Sequence, residues 1–169
     1  RQNAKRLGID PNRVAAGGGS AGGHVAASTG TLPKHDEPGE DMKISSVPNT
    51  MVLYNPVLIT AEAKGLKTFG GDRLERLKKR LGVEDPTTLS PYHNIRNGLP
   101  SSLVIHGRGD TTVPFLTAEM FVKQSVKAGL RSELDGYDDM PNGFFNLGRY
   151  DNKMFLATVT RMHEFLKSL

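Results

Sequence analysis

The residues whose types and spacing carry the most chemistry are Gly18-Gly19-Ser20-Ala21-Gly22, a G-x-S-x-G run. It follows a short apolar run, residues 13–17, and precedes a segment suited to a helix, residues 21–29. A strand turning sharply into a helix strains its central residue, and neighbouring backbone must pass close by. Glycines two positions either side permit that approach. Such a turn presents the Ser20 hydroxyl as a nucleophile, with the positive end of a helix beneath it. The Ala21 N–H is then a donor to an oxyanion. A second cluster, His106-Gly107-Arg108-Gly109-Asp110-Thr111-Thr112-Val113-Pro114, ends another apolar run. There Asp110 is a carboxylate on a strand-end loop, of the kind that orients a histidine and stabilises its cation. Both have plainer readings. The first is a tight glycine turn that binds an anion. The second is a cap for the helix starting near Pro114. The order Ser20 then Asp110 favours catalysis.

The elements that must position these residues follow from periodicity. Strands are expected over residues 13–17, 50–60 (broken near Pro56), 101–106 and, more weakly, 132–137. Helices are expected over 21–29, after an Asp72 N-cap up to Gly82, over 114–128 and over 154–169. Leu74, Leu77 and Leu81 share one helix face; Phe155, Val159, Met162, Leu166 and Leu169 form the stripe of the last helix. Residues 31–48 are polar with three prolines and read as a surface excursion. Continuous apolar strands alternating with helices predict an α/β fold: a mostly parallel sheet of about four strands flanked by helices, in one domain spanning 1–169.

Composition narrows the function classes. The chain has 169 residues, 37% hydrophobic and 24% charged, enough to bury a core. A scattered net charge of +4 argues against a nucleic-acid surface. The longest apolar run, residues 51–60, is too short for a bilayer, so no membrane partner is expected. With no cysteine there is no disulfide, thiolate metal site or Cys nucleophile. No His/Asp/Glu spacing resembles a metal site, and no cofactor is expected. Residue 1 is Arg, no charged-then-apolar leader follows, and residues 1–7 read as a helix already under way that Gly8 stops.

The runs LGIDPNRVAAGGGSAGGHVAA, LSPYHNI, LVIHGRGDTTVPF and NGFFNLGR together resemble the α/β-hydrolase fold. Within it the chain is similar to the esterase and lipase branch that includes acetyl esterases and acetylxylan-esterase-like proteins. The resemblance implies a serine hydrolase for small esters, such as acetyl groups on carbohydrate, with Ser20 as nucleophile and Asp110 as triad acid. It also implies that the chain corresponds to the C-terminal half of such a fold, without the glycine-rich loop that supplies a second oxyanion donor. The strand ending at Ser20 would then be an exposed edge at Val14, Ala15 and Ala16. A homo-oligomer, or pairing with an N-terminal fragment, is expected there.

At the third triad position the chain departs from the pattern. The family places a His before Gly-Phe, whereas here Asn142 precedes Gly143-Phe144. An amide has no useful basicity near neutral pH, so it cannot take the Ser20 proton. Activity is therefore expected to be impaired. His24, four residues after Ser20, and His93, in Ser90-Pro91-Tyr92-His93, are pocket candidates, as is Phe144. His106 reads as a buried structural histidine. Asp138 and Asp139 are weaker substitutes for a base, and His35 and His163 read as surface residues. Two other readings remain open: a non-catalytic binding or assembly module on a truncated hydrolase fold, and a serine peptidase of the prolyl-oligopeptidase type.

Overall fold

The apolar runs become the two central strands of a sheet. The computed structural model describes residues 1–32, 35–66 and 71–169. Its sheet has the order β1-β2-β3-β4, with β1 Ala15–Gly19, β2 Thr50–Tyr54, β3 Ser101–Gly107 and β4 Ser132–Tyr137. Every neighbouring pair is parallel, with Gly17 opposite Val52, Val52 opposite Leu103 and Leu103 opposite Glu133. This is the α/β arrangement that unbroken apolar strands require, because both faces must be covered.

Strand alternation sorts the core into two halves. Met51, Leu53 and Val104 pack with Ala26 and Ala27 of α2 (Ala21–Thr31) and with Ala118 and Phe121 of α4 (Phe115–Lys127). Val52, Leu103 and Ile105 pack with Phe144 and with Phe165 of α5 (Lys153–Lys167). Arg161 of α5 bridges Glu133 and Asp135, alternate residues of β4, and so ties the helix to that edge. Burial pushes the Glu133 carboxyl up. Hydrogen bonds from Arg161 and Arg131 outweigh this and hold it below its ordinary value.

Several boundaries differ from expectation. β1 lies two residues later than the apolar run, because the Asn49 side chain takes the Val14 amide and pairing with β2 begins at Ala15. Pairing then carries the ladder through three glycines, overriding their weak strand propensity. β2 stops at Tyr54, since Asn55 turns to φ 44°. The first helix, α1, is a single turn at Ala4–Leu7, closed by left-handed Gly8. α3 spans Gly71–Leu81, which puts Asp72 in its first turn rather than at its cap; the Leu74 side chain lies outside the described residues. In α5 the expected stripe holds in part: Met162 and Leu166 pack against the core, Phe155 and Val159 are half-buried, the fully buried residues are Thr158 and Phe165, and Leu169 is exposed.

Candidate active site

The turn from β1 to α2 is strained where the sequence pattern requires it. Ser20 has φ 54° and ψ −116°, a region that costs an L-residue about 1–3 kcal/mol. Three backbone hydrogen bonds over-determine it. The Ser20 N–H donates to the Tyr54 carbonyl at 2.8 Å, and the Ser20 carbonyl accepts from the His24 and Val57 amides at 3.1 and 3.4 Å.

The glycine requirement differs from the simple pattern. A Cβ on Gly18 would strike the Gly22 carbonyl, so that position admits only glycine. A Cβ on Gly22 would meet nothing within 4 Å, so Gly22 contributes its backbone rather than its missing side chain. The second intolerant position is Gly23, whose Cβ would lie 2.9 Å from the Pro56 Cβ and 3.1 Å from the Gly18 carbonyl oxygen. A Cβ on Gly19 would lie 2.6 Å from the Phe145 ring.

Ser20 and Ala21 open onto a cleft of about 700 Å³. Its other walls are His24, Val57 and Thr60, then Leu77 and Leu81 with Arg76 and Arg80 of α3, and finally Thr112 and Val113. α2 has no side-chain N-cap, so its first amides, including Ala21 N–H, can serve an anion at the positive helix end. Among the described residues no hydrogen-bond partner is found for the Ser20 hydroxyl.

Asp110 stands behind this cleft and is saturated with donors. Its Oδ1 accepts the Thr112 and Val113 amides, each at 2.8 Å. Its Oδ2 accepts Asn55 Nδ2 at 2.6 Å and Asn142 Nδ2 at 2.8 Å. A carboxylate only accepts, so both amides must turn their nitrogen toward it. The two expectations for Asp110 thus coexist: it holds the loop before α4 and also holds the residue at the third triad position. Asn142 keeps the hydrogen bond that an imidazole Nδ1–H would make, but its side chain ends there. It has no further nitrogen that could reach Ser20.

Asn55 was not anticipated from sequence. It is fully buried, sits at positive φ at the end of β2, and leaves its Oδ1 without a partner among the described residues. The only sequence signal for it was an Asn-Pro pair interrupting an apolar run.

The histidines separate into different roles. His24 lines the cleft, and its Nδ1 is 2.8 Å from the Val57 carbonyl, tying α2 to the segment after β2. His93 is not at the cleft. Its ring bonds Ser90 Oγ at 2.7 Å and the Glu62 carbonyl at 3.0 Å, which makes it a loop clamp. Phe144 is likewise no pocket residue, being fully buried against Tyr137 beneath the sheet. His106 is fully buried, with Nε2 2.9 Å from the Val113 carbonyl and 3.4 Å from Asp110 Oδ2. The shorter contact defines the donor, so Nε2–H serves Val113, and burial holds the imidazole below its ordinary value and neutral. Asp138 is exposed and paired with Arg108, and is no substitute base.

Comparison with known proteins identifies the lineage. Residues 1–124 match the BD-FAE family. The chain belongs to that family. As a BD-FAE member it is 28% identical over 148 residues to esterase LipC of Mycobacterium tuberculosis, covering 83% of this chain and 36% of LipC. Among solved structures it is similar to a thermophilic esterase of Thermogutta terrifontis with propionate bound, with 47% identity and TM-score 0.88. That match covers 99% of this chain and 60% of the esterase. The same organism's esterase 2, phosphonylated by sarin, matches with TM-score 0.90 and 46% identity, over 98% of this chain and 60% of that one. The fold is that of the α/β hydrolases. The chain spans about 60% of these solved relatives and about a third of LipC.

Two measurements test this geometry. Gly18→Ala is expected to lower urea-unfolding stability by about 1–3 kcal/mol, because backbone must move. Gly22→Ala is expected to be neutral or stabilising by up to about 1 kcal/mol, since alanine suits a helix better. The His106 value is lowered in the folded state relative to 6.5 in the unfolded chain, so its contribution is fully present above 6.5 and is lost as pH falls below it. Thermal midpoints between about pH 7 and pH 5 should therefore fall, and His106→Gln should flatten that slope.

Proposed function

We propose that this chain carries serine-based carboxylic ester hydrolysis, with turnover limited by the absent base at position 142. The observation that carries the reading is Ser20 held at φ 54° in a strand-to-helix turn and opening on a cleft, with Asp110 and Asn142 hydrogen-bonded behind it. The esterase relatives support the same chemistry. Ser20 Oγ attacks the ester carbonyl, and the Ala21 N–H receives the developing oxyanion at the start of α2. In the absence of a side-chain base the Ser20 proton passes to water. The tetrahedral intermediate collapses by breaking the ester C–O bond, and the alcohol leaves with a proton from water. A second water hydrolyses the acyl-serine to release the carboxylic acid and restore Ser20. General-base assistance is worth about 10²–10⁴-fold, which sets the size of the deficit. Short acyl groups such as acetyl, on alcohols including carbohydrate, are the proposed substrates; solved relatives with propionate and butyrate bound support a short acyl chain.

The Ser20 hydroxyl, without a hydrogen-bond partner among the described residues, favours one second reading, a binding module that has kept the fold without turnover. The β1 edge adds a proposed assembly role. Among the described residues β1 pairs on one side only, with β2, so it can accept a second copy or a separate N-terminal piece.

p-Nitrophenyl acetate turnover separates these readings. Asn142→His is expected to raise the rate at least about tenfold over the unaltered chain, and Ser20→Ala in that background to abolish the gain. Added imidazole should partly reproduce the gain without any substitution. No gain from Asn142→His over Ser20→Ala would favour the binding module. For the edge, light scattering should report self-association that rises with concentration; a monomer at high concentration would count against it.

A further inference from the structure

The cleft in front of Ser20 is charged on one side only. Among the described residues its charged wall consists of Arg76 and Arg80, one helical turn apart on α3, and no carboxylate lines the space. Asp110 lies behind Thr112 and Val113, with both its oxygens already occupied by internal donors. α3 holds five basic and two acidic residues, +3 of the chain's +4; Arg76 and Arg80 face this cleft, whereas Lys78 and Lys79 line a neighbouring groove.

The two guanidiniums are also available. Arg76 donates its Nε to the Asp72 carbonyl at 3.1 Å, which steadies the side chain and leaves its terminal nitrogens free of described partners. Arg80 has no ion-pair partner among the described residues. Between and beside them Leu77 and Leu81 supply an apolar wall. A planar guanidinium fork matches a carboxylate in a bidentate way. The positive end of α2 under Ser20 adds to the same field.

We infer that the cleft selects esters bearing a carboxylate remote from the scissile bond, held by Arg76 and Arg80 while the intervening apolar chain lies on Leu77 and Leu81. This rests on Ser20 as the reacting residue, and names the substrate class of that site. A solvated helix face would carry arginines too. It would not show discrimination between ligands differing only by a carboxylate, nor dependence on these two residues over their neighbours.

The test uses non-hydrolysable ligands, so it does not depend on turnover. Binding of glutaric acid mono-4-nitroanilide and of butyric acid 4-nitroanilide to the full chain is measured by titration calorimetry. The carboxylate ligand is expected to bind about fivefold tighter, and the preference to shrink at high salt. Arg76→Gln with Arg80→Gln should remove the preference. Lys79→Gln, on the neighbouring groove, should leave it intact. Equal binding of the two ligands, no measurable binding of the carboxylate ligand, or an equal loss with Lys79→Gln would overturn the inference. A failure of Asn142→His to hydrolyse p-nitrophenyl acetate would instead refute the esterase reading, and would leave a measured carboxylate preference standing.

Discussion

The buried Asp110 carboxylate is the point on which the site depends. Its donors come from three separate places: Asn55 at the end of β2, the Thr112 and Val113 amides before α4, and Asn142 in the loop after β4. An ionised group in that position is tolerable only if its lone pairs are met, and here four donors meet them. Removing any one partner leaves a charge less compensated, so the ends of three strands are held in mutual register by one side chain. This explains why the arrangement persists with an amide at position 142. Asn142 satisfies the carboxylate as a donor, and an amide has no basicity with which to add proton transfer there.

Ser20 belongs to a different mechanical unit. Its strained backbone is anchored by Tyr54, His24 and Val57, none of which touches Asp110 through a described hydrogen bond. The two units meet through β2, where Tyr54 accepts from Ser20 and the next residue, Asn55, donates to Asp110. Adjacent residues of one strand end thus place Ser20 and Asp110. The turn at Asn55 is what allows consecutive residues to face these two tasks.

Much of this was legible from sequence because it is local. The G-x-S-x-G turn, the unbroken apolar runs of β2 and β3, β4 at Ser132–Tyr137 and the Gly8, Gly82 and Gly129 stops all show in short stretches of sequence. What escaped depends on contacts between distant residues. Gly23 is required because Pro56 packs on it, and Gly22 is not, although the motif names the latter. Asn55 shows its role only when Asp110, 55 residues later, is beside it. His93 resembled a pocket residue by its place in a motif, but its two ring nitrogens are engaged by Ser90 and Glu62. The apolar stripe of α5 meets the core at Met162 and Leu166, but the position of the sheet centres the buried face on Thr158 and Phe165 and leaves Leu169 outside.

The contact between Gly19 and Phe145 has a wider effect. Phe145 lies where a Gly19 side chain would otherwise project, and its ring also packs against Tyr54 with centroids 4.9 Å apart. The loop that carries Asn142 is thereby wedged onto the first two strands a few residues from its functional position. Its ordering entropy is spent when the chain folds, not when a ligand arrives. This end of the sheet accordingly presents a surface whose shape is set before any ligand arrives.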